Sequence, residues 1–181
     1  MNRRTALKNL ALVIGSAALL PRCTEHNPVA HFTHFDVTND QQSLVADMAE
    51  AIIPKTSTPG AKDLNLDQFV WLMLDDCTKK EEQKAFFKGM DEFNDLTKKT
   101  YNKGFADLDK KQQEDLLNTF EKKDNGYSKE LNGFFGKVKG LTVFGYTESK
   151  YFMTKEIVYE LVPGRYNAWF PVKNNMAVKN G

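Results

Sequence analysis

The sequence predicts an all-α protein: a compact bundle of about five helices with an extended, aromatic-rich C-terminal tail. Three observations carry this. Apolar residues between Leu44 and Phe144 recur at helical spacing in successive blocks, as in helices that bury one face. The blocks are parted by helix-ending signals, Pro54 with Pro59-Gly60 and Asp124-Asn125-Gly126. Between Lys79 and Asp124, 11 lysines interleave with 11 acids, the pattern of solvated faces on helical hairpins. A length of 181 residues, 41% hydrophobic and 27% charged, suits one globular domain.

Residues 1–22 read as an export signal with a basic start, an apolar run from Leu10 to Leu20 and a processing region. That run is shorter than the roughly 20 residues a membrane-spanning helix needs. Arg3-Arg4, followed by Leu7 and Lys8, matches a twin-arginine signal, although Ala6 stands where a bulkier apolar residue is usual. An ordinary secretory signal is the other reading. Cys23 is a lipidation candidate because Leu20 lies three residues before it, whereas Arg22 does not suit that processing. The alternatives are cleavage elsewhere or an uncleaved anchor. Either way the expected location is the periplasm or cell envelope, with membrane association through the signal or a lipid. A disulfide to Cys77, the other cysteine, is disfavoured because Cys23 sits on a tether. Cys77 itself is expected to be a small hydrophobe at the end of an apolar helix face.

Residues 23–38 read as a linker, with Phe35 and Val37 the residues most suited to pin it to the domain. His31 and His34 form a bare H-x-x-H, weak evidence for a metal beside the bland reading of a solvated linker. The domain spans residues 39–172. Asn39 or Asp40 is expected to cap the first helix. Leu44, Val45, Met48, Ala49, Ile52 and Ile53 form its apolar face, and Pro54 stops it. The loop from Pro54 to Ala61 carries Thr56, Ser57 and Thr58 before the Pro59-Gly60 turn. A loop so stiffened suits a scaffold that presents a fixed surface.

The second helix starts near Leu66, with Asn65 and Gln68 as a capping box. It is apolar nearly all round and is expected to be the central helix. The third runs from about Lys80 to Asn102 with Gly89 in its middle, and the fourth starts at Leu108-Asp109. Ser128 caps the fifth, which carries Gly133, Gly136 and Gly140 along one side. Glycine is disfavoured in helices, so three on one line predict a close backbone approach. Packing within the domain is the favoured reading, and contact with a partner chain the other. The tail from Tyr146 to Val172 mixes aromatics with turn residues and must either pack on the helices or cover another protein. Residues 173–181 are expected to be flexible.

The chemistry these residues exclude is broad. No histidine lies between Asn39 and Val172, which removes the commonest general base and metal ligand. There is no nucleotide-binding glycine loop, no nucleophile elbow and no haem-attachment motif. The formal charge is +1, but residues 1–22 hold four basic residues and no acid, so the remainder sits near −3. A mildly acidic body has no electrostatic reason to bind nucleic acid.

The segments Ile52-to-Ala61 (IIPKTSTPGA), FVWLMLDDC, GLTVFGYTES and ELVPGRYNAWFPV resemble the gluconate 2-dehydrogenase subunit 3 family from about Asp40 to Val172. Ser57 stands where an aspartate is usual, and Asn167-Ala168-Trp169 departs from the Asp-Gly-Cys type of ending. The resemblance implies a small, non-catalytic subunit of an exported flavin-dependent sugar or polyol dehydrogenase. The FAD would sit in a large partner subunit of the glucose–methanol–choline type, with a cytochrome c as a further partner. No cofactor, metal or catalytic residue is expected in this chain. The residues expected to hold the partner are Pro54, Thr56, Thr58, Pro59 and Gly60 of the loop, with Pro163, Gly164, Arg165, Tyr166 and Trp169 of the tail. The alternative is an independent envelope lipoprotein with a structural or ligand-binding role.

Overall fold

The computed structural model describes residues 28–122 and 126–157, the side chains of residues 28–31 excepted. Five helices make up the body: α1 (Asn39–Ile52), α2 (Leu66–Cys77), α3 (Lys80–Tyr101), α4 (Lys110–Asn118) and α5 (Lys129–Thr147). The all-α expectation holds, with one addition at the front. Strands β1 (Pro28–His31) and β2 (Asp36–Thr38) pair antiparallel, Ala30 opposite Val37 and His31 opposite Asp36.

That hairpin lies inside the segment read above as a linker. Residues 28–38 form a strap seated on α2. Val37 is fully buried, and the Phe32 and Phe35 rings lie 6.3 and 6.2 Å from the Trp71 ring. At the turn, the Asp75 carboxylate accepts hydrogen bonds from the Thr33 amide (2.8 Å), the His34 amide (2.9 Å) and His34 Nδ1 (2.9 Å). Burial pushes this carboxyl up, but the hydrogen bonds from the Thr33 and His34 amides and the His34 ring outweigh it, leaving the group below its ordinary value. His34 is thus engaged with Asp75, and the side chain of His31 lies outside the described residues.

Several local expectations move by a residue or change partner. Thr38, not Asn39 or Asp40, caps α1, in a capping box with Gln41. The box satisfies two amides at once, which a cap one residue later would not. Asn65 makes no capping hydrogen bond; it adopts φ 52°, turning the chain into α2 after a short turn closed by Leu66 N to Ala61 O at 3.0 Å. Asparagine tolerates that left-handed backbone better than most residues. Ser128 caps α5 as expected, and Asp109, read only as part of the start of α4, proves to be its N-cap, boxed with Gln112. Cys77, the last residue of α2, is exposed and free.

The helix that touches α1, α2 and α3 together is α5, so the central position expected of α2 belongs to it. Trp71 and Leu74 of α2 are fully buried, but Leu72 is 51% exposed, because neighbours cover α2 on one side only. Helices α3 and α5 run antiparallel, Phe86 facing Phe134 (4.9 Å between rings) and Lys88 Nζ bonding Glu130 Oε1 at 2.9 Å. Gly89 marks their crossing: a Cβ there would fall on the Glu130 carbonyl and 2.8 Å from Phe134 Cβ. The close backbone approach expected at Gly133, Gly136 and Gly140 is therefore found elsewhere. A Cβ on any of those three meets nothing within 4 Å.

Candidate partner-docking surface

The loop after α1 is built around two carboxylates. Glu50, on the last full turn of α1, accepts from the Lys55 amide (2.9 Å) through one oxygen and from the Lys62 amide (3.0 Å) through the other. One side chain thus holds both ends of the loop. Asp63 works from the far side, accepting from Lys55 Nζ (3.0 Å) and the Gly60 amide (3.2 Å). The Lys55 ammonium, with the Gly60 amide, holds the Asp63 carboxyl below its ordinary value. Ala61 N to Ile53 O (2.9 Å) ties the loop back to the helix end.

Gly60 is required here. A Cβ would stand 2.6 Å from both Glu50 Oε1 and the Lys55 amide nitrogen. Gly60 and Ala61 are buried, so their role is to close the loop. At the tip, the Thr56 amide donates to Thr58 O (3.0 Å) and the Thr58 amide to Thr56 Oγ1 (3.3 Å). Pro54, Lys55, Thr56 and Ser57 are exposed, and Thr58 and Pro59 are half-buried. The surface offered outward is therefore Pro54 to Ser57, held in shape by backbone bonds whose donors are already used. A surface fixed before contact loses little entropy on binding.

Beside Pro54 opens a groove of about 590 Å³ between α1, α4 and α5. Ala51, Ile52, Leu117 and Phe135 give it an apolar lining. Charges of both signs stand at its edges, with Lys62 paired to Asp47 at 2.6 Å and Lys139 to Glu121 at 2.5 Å. Exposed pairs like these contribute little stability. They do leave charges of both signs along the rim.

The base of the loop also reaches the end of α5. Ala49, Ala61 and Leu66 form a small cluster against which Tyr146 packs. The Tyr151 and Phe152 rings lie 6.4 and 5.7 Å from Tyr146 in turn. The described chain thus runs toward its C-terminal segment at the same end of the bundle as the loop. Pro163, Gly164, Arg165, Tyr166 and Trp169 lie outside the described residues, as do Arg3, Arg4, Leu7, Lys8 and Cys23. Glu50, Asp63 and Asp75, which hold the loop and the strap, were not singled out by the sequence reading.

Among the described residues, no group of three or more His, Cys, Asp or Glu could hold a metal ion. Among the same residues, no helix is long and apolar enough to cross a membrane. Fold and site together define a small helical protein whose best-built feature is a preformed surface loop. Residues 39–164 match the gluconate 2-dehydrogenase subunit 3 family, more than half of the chain, and the chain belongs to that family. The family is that of a subunit of an oxidoreductase complex. The match takes in the loop and Pro163-Gly164 and stops before Arg165. No curated protein and no solved structure matches the chain.

Proposed function

We propose that this chain is the non-catalytic small subunit of an exported FAD-dependent dehydrogenase of the glucose–methanol–choline type, acting on a sugar or polyol. The FAD belongs to the large subunit, and this chain assists that subunit's maturation and its passage through the twin-arginine route. Electrons from the large subunit pass to a cytochrome c partner. The observation that carries the reading is the family match over residues 39–164. The rigid loop supports it, because a surface that already holds its shape loses little entropy when a partner binds. On this reading Pro54 and Thr56 meet the partner directly, while Thr58, Pro59 and Gly60 hold the loop's form. Pro163, Gly164, Arg165, Tyr166 and Trp169 add contacts from the tail, and Cys23 carries a lipid that keeps the complex at the envelope.

The test is export of the partner. Replacing Arg3 and Arg4 together by lysine should leave the flavoprotein subunit in the cytoplasm, read by fractionation and flavin absorbance. Normal export of the partner in that variant would sink the escort role. Gentle purification of the native chain should bring down a yellow flavoprotein. A lone colourless polypeptide would favour an independent envelope lipoprotein instead.

A further inference from the structure

The outward side of α5 is unlike any other helix surface in the bundle. After Lys129, its exposed positions are Gly133, Gly136, Gly140, Val143 and Phe144, none of them charged. Lys137 and Lys139 turn to the flanks, where Lys137 pairs with Glu82 at 3.5 Å and Lys139 with Glu121 at 2.5 Å. Val143 is 42% and Phe144 48% exposed, and the Phe144 ring lies 6.0 Å from Phe69 of α2. One turn along α2 from Phe69 stands Leu72, which is also exposed. These three are the exposed large hydrophobic side chains of the described helices. The α3 surface, by contrast, is crowded with lysines and acids.

Glycine in a helix weakens it, and nothing within 4 Å demands glycine at these three positions. Depletion of charge with apolar side chains at the centre is the composition of an interface core. The chain belongs to a family of complex subunits, so a partner surface exists to be assigned. The face is also continuous with the loop's end of the bundle. Tyr146, three residues beyond Val143, packs against the cluster containing Ala61.

We propose that the Gly133–Phe144 face of α5, with Phe69 and Leu72 beside it, is where the dehydrogenase large subunit packs. That subunit would offer an apolar, uncharged surface whose backbone comes close to α5 over the three glycines. The inference rests on the subunit reading above and adds to it the surface that buries most of the contact.

The experiment uses the full chain co-expressed with its dehydrogenase large subunit. Two variants are compared with the native sequence: Gly133→Ala/Gly136→Ala/Gly140→Ala, and Gly136→Gln/Gly140→Gln. Because the space is open, the alanine variant of the free chain should melt at a higher temperature than the native chain. The FAD co-eluting with the glutamine variant should fall at least tenfold, and with the alanine variant by a smaller factor. Full retention of the flavoprotein by both variants overturns the proposal. So does a chain ending at Ile157 that newly binds a hydrophobic dye at this face while native chain does not, since the tail would then be its cover. A native chain that self-associates through the face, with flavoprotein binding intact in the variants, overturns it in favour of a second copy. If the native chain itself brings down no flavoprotein, the subunit reading fails first, a result distinct from loss confined to the variants.

Discussion

Glycine marks both the packed side of α5, where Gly89 of α3 and its own Gly145 stand, and its outer side, and the two sets stand in opposite surroundings. Inside, Gly89 gives the Glu130 carbonyl room, and Gly145 leaves space for the Phe69 ring, whose Cδ1 would lie 2.7 Å from an added Cβ. There the loss in helix propensity is offset by packing: Phe86, Phe93 and Phe134 close over the crossing with rings 4.9 to 5.6 Å apart. Outside, Gly133, Gly136 and Gly140 face open space. The same residue type answers a geometric demand on one side and answers none within the described chain on the other. Glycine at a helix surface is informative only after asking what its missing Cβ would have touched.

Substitution by alanine should therefore split the two sets by sign. Gly89→Ala forces α3 away from the backbone of α5 and should destabilise the free chain by about 3 kcal/mol, the upper part of the range for overpacking. Gly133→Ala/Gly136→Ala/Gly140→Ala should stabilise it by about 2 kcal/mol, since each replacement recovers up to ~1 kcal/mol of helix propensity. Chemical denaturation followed by circular dichroism measures both. A destabilised triple variant would show that the outer face is covered within this chain and would erase the contrast.

Covered and uncovered sides recur on α2, at two consecutive residues. Trp71 is fully buried beneath the strap, while Leu72 is half exposed. The strap is held over Trp71 by Phe32 and Phe35 and by the Asp75 carboxylate. Asp75→Ala leaves the Thr33 and His34 amides without their acceptor and should lower stability by about 1.5 kcal/mol. Its native pKa is depressed, so the carboxylate stabilises fully above the ordinary carboxylate value, near 4. That contribution is lost as pH falls through the lower native value. Trp71 emission in a Trp169→Phe background should shift to the red over that acid range in the native chain. In Asp75→Ala the acid-dependent step should be missing; its persistence would mean that another group seats the strap.

These contrasts also show what was legible in the residues. Periodicity located all five helices, and the capping side chain of Ser128 was readable because a cap acts over three residues. The loop was readable for the same reason: proline and glycine set backbone geometry where they stand. Asp75 was not, because its donors lie 41 and 42 residues away. Nor was Glu50, an acid on an exposed turn like many others until the Lys62 amide, 12 residues on, returns to it. The glycines of α5 were noticed but assigned inward, because sequence shows that a Cβ is missing without showing which side of the helix is covered. Gly89, a single glycine without a pattern, was the one that mattered for packing.

The smallest expected effect is the sharpest check on the uncovered side. Leu72→Gln removes an apolar side chain that is already half in water. In the free chain it should change stability by less than about 0.5 kcal/mol, as surface substitutions away from special features do. If Leu72 instead behaves like a core residue, with a loss of about 2 kcal/mol or more, then something in the chain covers it, and the argument from exposure on α2 and α5 fails together. If stability is unchanged while the co-purified flavoprotein is reduced, the side chain is idle in the isolated subunit and engaged only in the complex. That is the behaviour required of a face that is uncovered for a partner's sake.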